Sequence, residues 1–224
     1  PFDALLGCYP VSIGPPTLRQ HLTTLERFGL LPMETANPPT YRFKHSITQL
    51  VAYGSLLETQ WRDLHGRAAR YFEETLGSTP GRAIDLLAYH YARSDQSAKA
   101  VHYLQLAGEQ ATRQGSYLVA VDYFTQALER GCEAGYAVRC AILEAREQIW
   151  RTLGDLAARQ QDLEALEATA EAWGDRLWRA RATFWRAVFA QDQGDYQTAD
   201  NCLQDVISQA GALADERLMG LALL

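Results

Sequence analysis

Glycine-centred breaks at Gly115, Gly154-Asp155 and Gly194-Asp195 cut the second half of the chain into amphipathic stretches at intervals of 39 and 40 residues. A period of that size describes a helical hairpin stacked on copies of itself, because a single hairpin cannot bury its own apolar face. The pattern predicts an all-α solenoid. Asp95 marks a similar break upstream, and Asp85, Asp95, Asp155 and Asp195 recur near the expected turns, where short carboxylates cap helices.

The clearest unit spans residues 101–134. Its Gly108, Gly115, Tyr117, Ala120, Phe124 and Ala127 resemble the small and large positions of a tetratricopeptide repeat, although Leu104 stands where Trp is commonest and Ala107 and Ala111 where Leu and Tyr are usual. Gly108 and Ala120 are expected to let two antiparallel helices approach closely, with Tyr117 and Phe124 filling the space between hairpins. A second unit begins near Ala180 and keeps Gly194-Asp195-Tyr196, Ala199 and Leu203; a weaker hairpin from Cys140 to Trp173 lies between them. In repeats of this kind the first helix of each hairpin lines a concave face. The resemblance therefore implies a protein or peptide partner held by His102, Gln105, Glu109, Thr112 and Arg113, and by Arg181, Phe184, Val188, Gln191 and Asp192.

Toward the N-terminus, Leu18, Leu22, Leu25 and Phe28 recur at helical spacing, with Thr17 and Gln20 as a capping box and Gly29 as a stop. Asn37, Pro38 and Pro39 then mark a turn between extended stretches at 30–34 and 40–44, the helix-then-hairpin order of a winged helix. A helix over 45–57 carries Ile47, Leu50, Val51 and Leu57 on one face, and another runs from about Thr59 to Leu76 before the breaker at residues 77–81.

The run from Phe43 to Leu57, F-K-H-x-x-T-Q-x-V-A-Y-G-S-L-L, resembles a segment of large bacterial signalling ATPases of the STAND type, especially those with a nucleotide-cyclase domain, an AAA-like ATPase and tetratricopeptide repeats. In that family the segment follows the ATPase core and precedes the repeats. The resemblance implies that His45, at the strand-to-helix junction, senses nucleotide by reaching the β-phosphate of ADP, with Mg and ATP or ADP held by an upstream domain. An imidazole donor beside a helix N-terminus suits an anion. On the residues alone, the alternative is a histidine that only caps its own helix or bonds a neighbouring backbone group.

Other chemistries find little support. The chain has no phosphate loop, no G-x-S-x-G elbow and no H-E-x-x-H, so catalytic residues are not assigned, and any ATPase or cyclase activity would belong to a parent protein. His65, His90 and His102 have no His or Cys partner at helical ligand spacing, which argues against metal. A net charge of −6 and a pI near 5.4 argue against nucleic acid. Cys8, Cys132, Cys140 and Cys202 form no C-x-x-C pair and read as thiols of a reducing cytoplasm, and no apolar run is long enough to cross a membrane. Pro1 and the uncapped stretch 216–224 suggest a piece of a longer chain.

The expected organisation is a winged helix over 1–57, connecting helices over 58–96 and tetratricopeptide-like repeats over 97–224. The expected function is a regulatory segment that couples nucleotide state to partner binding by the repeat arm. The alternatives are a scaffold without nucleotide dependence and a DNA-binding regulator.

Overall fold

The computed structural model describes residues 1–76, 80–130 and 135–213. Among them are eleven helices and one two-stranded hairpin: α1 (Phe2–Cys8), α2 (Pro15–Arg27), β1 (Met33–Ala36), β2 (Pro39–Tyr41), α3 (Ser46–Gly54), α4 (Glu58–Leu76), α5 (Pro80–Tyr91), α6 (Ser97–Arg113), α7 (Tyr117–Arg130), α8 (Tyr136–Leu153), α9 (Leu156–Trp173), α10 (Arg176–Asp192) and α11 (Tyr196–Leu213). The fold is all-α, with a small hairpin followed by repeat-like helical pairs. It divides into two compact units, residues 1–107 and residues 108 onward, and the division falls inside α6. Cys132 and the stretches 77–79 and 216–224, all singled out in the sequence, lie outside the described residues.

In the first unit, Phe2 of α1 and Leu18 and Leu22 of α2 are buried together, with Leu31 and Tyr41 of the hairpin packed against them. The helix-then-hairpin order expected of a winged helix is present, with differences in detail. α2 begins at Pro15, two residues before the expected cap, because Gly14 and two prolines supply the N-terminal geometry; Thr17 is inside the helix and makes no capping box. Gly29, at φ +67, does close the helix: its N–H donates to Glu26 O and that of Leu30 to Leu25 O. The strands are shorter than expected, but Arg42 N–H to Pro32 O and Lys44 N–H to Leu30 O extend the pairing irregularly.

α1 has only seven residues and no clear sequence signal. Gly7 gives it its seat, since a Cβ there would fall 2.5 Å from Tyr71 Cδ2 of α4. Farther along, Ala69, Ala83, Leu87, Tyr91 and Ala100 form the α4–α5–α6 core, with Phe72 and Tyr103 packed on it. Glu73 ties this core together by accepting hydrogen bonds from Tyr91, Lys99 and Tyr103, while the Tyr91 and Tyr103 rings stack 5.2 Å apart. Burial pulls the Glu73 carboxyl upward, but those three donors outweigh it and hold it below its ordinary range.

In the second unit, Gly108 meets the Phe124 ring, which is 1% exposed, and Ala120 is fully buried nearby in sequence. A close approach at Gly108 is present, but its nearest neighbour is Phe124, expected to fill the space between hairpins, rather than Ala120. α8 packs on α9, α10 on α9 and α10 on α11. Gly115, Gly154, Gly174 and Gly194 all take positive φ between such helices, which explains the period of glycine breaks. Asp155, Asp175 and Asp195 accept from the backbone N–H three residues on. Asp155 and Asp195 therefore cap as expected, whereas Asp95 pairs with Arg62 and Asp85 lies within α5. The hairpin expected to begin near Ala180 starts at Arg176, because Asp175 supplies its cap.

The core of the second unit is apolar around Cys140, Leu143, Leu166, Ala170 and Ala182, with Trp178 and Trp185 packed on it, and around Ala180 and Val206. Threaded through it are charges: Arg146 with Asp162, Arg159 with Glu147 and Asp192, and Arg181 with Glu144.

Candidate functional site

α3 departs most from the ordinary rule that an apolar stripe faces its own core. At 100° per residue Ile47, Leu50, Val51 and Gly54 share one face, and Ile47 (68%), Leu50 (69%) and Val51 (66%) are all exposed. No residue of α3 is buried. Leu57, just beyond its end, is 68% exposed, and a Cβ on Gly54 would meet nothing within 4 Å. Isolated exposed leucines need no explanation, but a contiguous stripe makes this face the candidate interaction surface.

The helix is anchored through Tyr53. Its hydroxyl lies 2.8 Å from His65 Nε2 on α4, and its ring meets Trp61 and His65 edge-on at 6.0 Å in each case. Tyr53 also walls two cavities. One, of about 470 Å³, is bounded by Ser46, Ile47, Gln49, Leu50 and Tyr89. The other, of about 220 Å³, lies against Cys8, Leu56, Trp61, Leu64, His65 and His90.

Behind Tyr53, His65 Nδ1 and His90 Nδ1 are 2.9 Å apart, so one imidazole donates and the other accepts. This pairing joins residues 25 apart in sequence, on α4 and α5, and was not visible in helical ligand spacing. Burial, then the nearby charges of His90 and Arg93, push the His65 pKa down to about 4, and burial lowers that of His90 as well. Both rings are therefore held neutral. Among the described residues, no group of three or more His, Cys, Asp or Glu side chains could hold a metal ion.

His45 is the N-cap residue of α3, extended at φ −131 and ψ 135 and exposed. Its carbonyl accepts from Thr48 and Gln49 N–H, while its side chain makes no capping bond. His45 thus stands at the α3 N-terminus with an exposed side chain, two residues before the first member of the stripe.

The residues expected to line a partner groove fall into separate surroundings. His102 and Gln105 belong to the first unit. His102 is exposed and meets Tyr103 edge-on. In the second unit, Glu109, Thr112 and Arg113 share a cavity of about 400 Å³ with Tyr117, Phe124, Gln148 and Thr152. Arg113 is exposed there. Arg181 sits elsewhere: it is half-buried, forked onto Glu144, and stacked 4.4 Å over Trp178. Phe184 packs against Ala180 and Val206, Val188 is half-buried, and Gln191 is exposed. On α2, Arg19 lies over the Phe2 ring and His21 Nδ1 lies 3.3 Å from Tyr9 OH, which draws both side chains back onto α1 and the loop after it.

No protein-family model matches the chain, and no curated protein matches it. No helix among the described residues is long and apolar enough to cross a membrane.

Proposed function

We propose that this chain is a regulatory segment of a larger bacterial signalling ATPase, in which the α3 face docks on a nucleotide-binding domain and the helical repeats bind a partner that shifts the docked population. The observation that carries this reading is the exposed stripe of Ile47, Leu50 and Val51, with the uncommitted His45 side chain at its N-terminal end. A surface of that kind is stabilised when covered, and a ligand with different affinity for the covered and uncovered states moves the balance between them. The tetratricopeptide-like spacing of the second half and the Phe43–Leu57 motif support the same reading. Cytoplasmic residence and ATP or ADP with Mg in the neighbouring domain follow from it as parts of the proposal.

The test uses a longer polypeptide that carries this chain with the domain preceding it. ADP is expected to protect residues 30–57 from proteolysis relative to ATP, and His45→Ala to weaken ADP retention by on the order of tenfold or more, the loss of one charge-assisted hydrogen bond. Identical cleavage in both nucleotides, together with unchanged ADP retention in a folded His45→Ala protein, overturns the reading.

The second reading is a scaffold without nucleotide dependence. The cavity holding Glu109, Thr112 and Arg113 favours it, because mixed charge and apolar surface suits a peptide segment. DNA recognition by α2 draws less support, since Arg19 and His21 are engaged within the protein.

A further inference from the structure

We infer that the α3 face takes an amphipathic helix that places an apolar side chain between Tyr53 and Tyr89 and a carboxylate near Lys44. This rests on the reading of α3 as a docking face and adds the chemistry of what docks there. Three observations carry it.

The first is shape. The exposed stripe runs into a cavity of about 470 Å³ bounded by Ile47, Leu50, Tyr53 and Tyr89, large enough for a bulky side chain. Tyr53 is fixed by its hydrogen bond to His65, and Tyr89 by Arg93, whose guanidinium lies 3.8 Å over its ring and donates to its carbonyl. A hollow with two braced aromatic walls accepts a knob at little ordering cost.

The second is charge. From Arg42 to Leu57 the sequence contains Arg42, Lys44 and His45 and no carboxylate. Arg42 is paired with Glu34, whereas Lys44 is exposed and has no ion-pair partner among the described residues. The nearest carboxylate at the other end, Glu58, is held by Arg62. No acidic side chain lines the cavity, and beside it the chain offers a partner carboxylate the unpaired Lys44 and the N-terminus of α3.

The third concerns the competing occupants. A second copy in a two-fold contact would present the same patch to itself, with no carboxylate to answer Lys44. An anionic lipid surface is drawn by clusters of several lysines and arginines, and one unpaired lysine falls short of that. A helix with an acidic end is the occupant that satisfies both the hollow and the charge.

The test uses the 224-residue chain and three synthetic helical peptides: one with a Leu/Phe stripe flanked by glutamates, the same stripe flanked by lysines, and the glutamate peptide with its stripe changed to serine. Fluorescence anisotropy is expected to show saturable binding of the first, with the other two at least about tenfold weaker, and a loss of affinity as salt is raised. Leu50→Glu and Lys44→Glu are each expected to weaken the first peptide by about tenfold or more. Both positions are exposed, so circular dichroism and melting should match the parent protein.

Equal binding of the glutamate and lysine peptides, both lost in Leu50→Glu, overturns the charge inference and leaves the docking face standing. Binding unaffected by Leu50→Glu, or no binding of any peptide, overturns the site itself. Leu50-dependent dimerisation in sedimentation would name a second copy as the occupant, and Leu50-dependent binding to phosphatidylserine vesicles a lipid surface; either result overturns the helix. The nucleotide-dependent proteolysis above reads the regulatory role separately from all of these.

Discussion

Arg159 on α9 donates its Nε–H to Glu147 Oε1 on α8 over 2.8 Å, at a place where the two side chains are 2% and 0% exposed. Its Nη1 reaches Asp192 Oδ2 at 3.0 Å, and the guanidinium lies over the Phe189 ring, so one cation joins α8, α9 and α10. Burial pushes the Glu147 carboxyl upward against the pull of Arg159. Arg159 Nη2 lies 2.8 Å from Glu147 Oε1 but out of hydrogen-bond alignment, and Glu147 Oε2 makes no hydrogen bond among the described residues, so the pair is incompletely satisfied. Such a pair is costly to break and adds little net stability while intact.

The first prediction follows from that asymmetry. Glu147→Ala, which leaves the buried cation with Asp192 alone, should destabilise the second unit by about 3 kcal/mol, whereas Glu147→Leu with Arg159→Met should lose much less or nothing. Urea unfolding followed by circular dichroism separates the two. A double variant as weak as the single one would mean that the pair contributes through geometry that an apolar replacement cannot supply.

The second prediction concerns acid. His65 titrates near 4 in the folded protein, against an ordinary value near 6.5, so between those values the unfolded chain binds more protons than the folded one. Stability of the first unit should therefore fall as pH drops from about 6.5 toward 4 and stop falling on this account below that window. Glu73, held low when folded, adds a further loss as pH falls from the ordinary carboxylate range through its depressed value. His65→Gln should flatten the upper part of the profile, and an unchanged slope in that variant would remove the histidine from the explanation.

The third prediction concerns close packing. A Cβ on Gly108 would lie 2.6 Å from Phe124 Cε1, and that ring is almost fully buried, so it cannot swing aside into solvent. Gly108→Ala should cost about 1–3 kcal/mol by overpacking, and Phe124→Leu should relieve part of it. Gly115→Ala meets nothing within 4 Å, yet its φ of +74 should cost about 1–2 kcal/mol from backbone strain alone. Thermal melts that rank both variants with the parent would contradict the α6–α7 geometry.

Local signals made the helices of the second unit legible, because positive-φ glycines and capping aspartates act within a few residues. The same signals misplaced the start of α2, where two prolines outweighed Thr17, and passed over α1, whose seat on α4 depends on Gly7 meeting Tyr71 from far along the chain. The 3.6-residue period found the stripe of Ile47, Leu50 and Val51 but carried no information on what covers it. The pairing of His65 with His90 and the buried bridge of Arg159 to Glu147 were likewise hidden, since each joins different helices. The inward register drawn from Gly108 found Glu109 and Arg113 at one cavity, yet gave Arg181 no hint of its bond to Glu144.

The last prediction turns on that difference between two arginines. Arg113 is exposed at a cavity edge and has no ion-pair partner among the described residues, whereas Arg181 forks onto Glu144, whose Oε1 also accepts from Trp185 Nε1 at 2.7 Å. Glu144 is itself only 7% exposed, so removing its cation leaves a nearly buried carboxylate with the indole alone. Arg181→Glu would set a second carboxylate against it and strip the cation from the Trp178 ring, a loss of roughly 1–3 kcal/mol for leaving the Glu144 carboxylate without its partner. Arg113→Glu touches no such network and should leave the melting temperature within a degree or two, as exposed substitutions generally do. Arg113 is therefore the clean probe of partner capture at the Glu109–Thr112–Arg113 cavity. A charge reversal there that leaves a captured partner's affinity unchanged moves the binding surface away from that cavity, and an Arg181→Glu protein that melts with the parent would show that the Glu144 bridge does not hold α10 to α8.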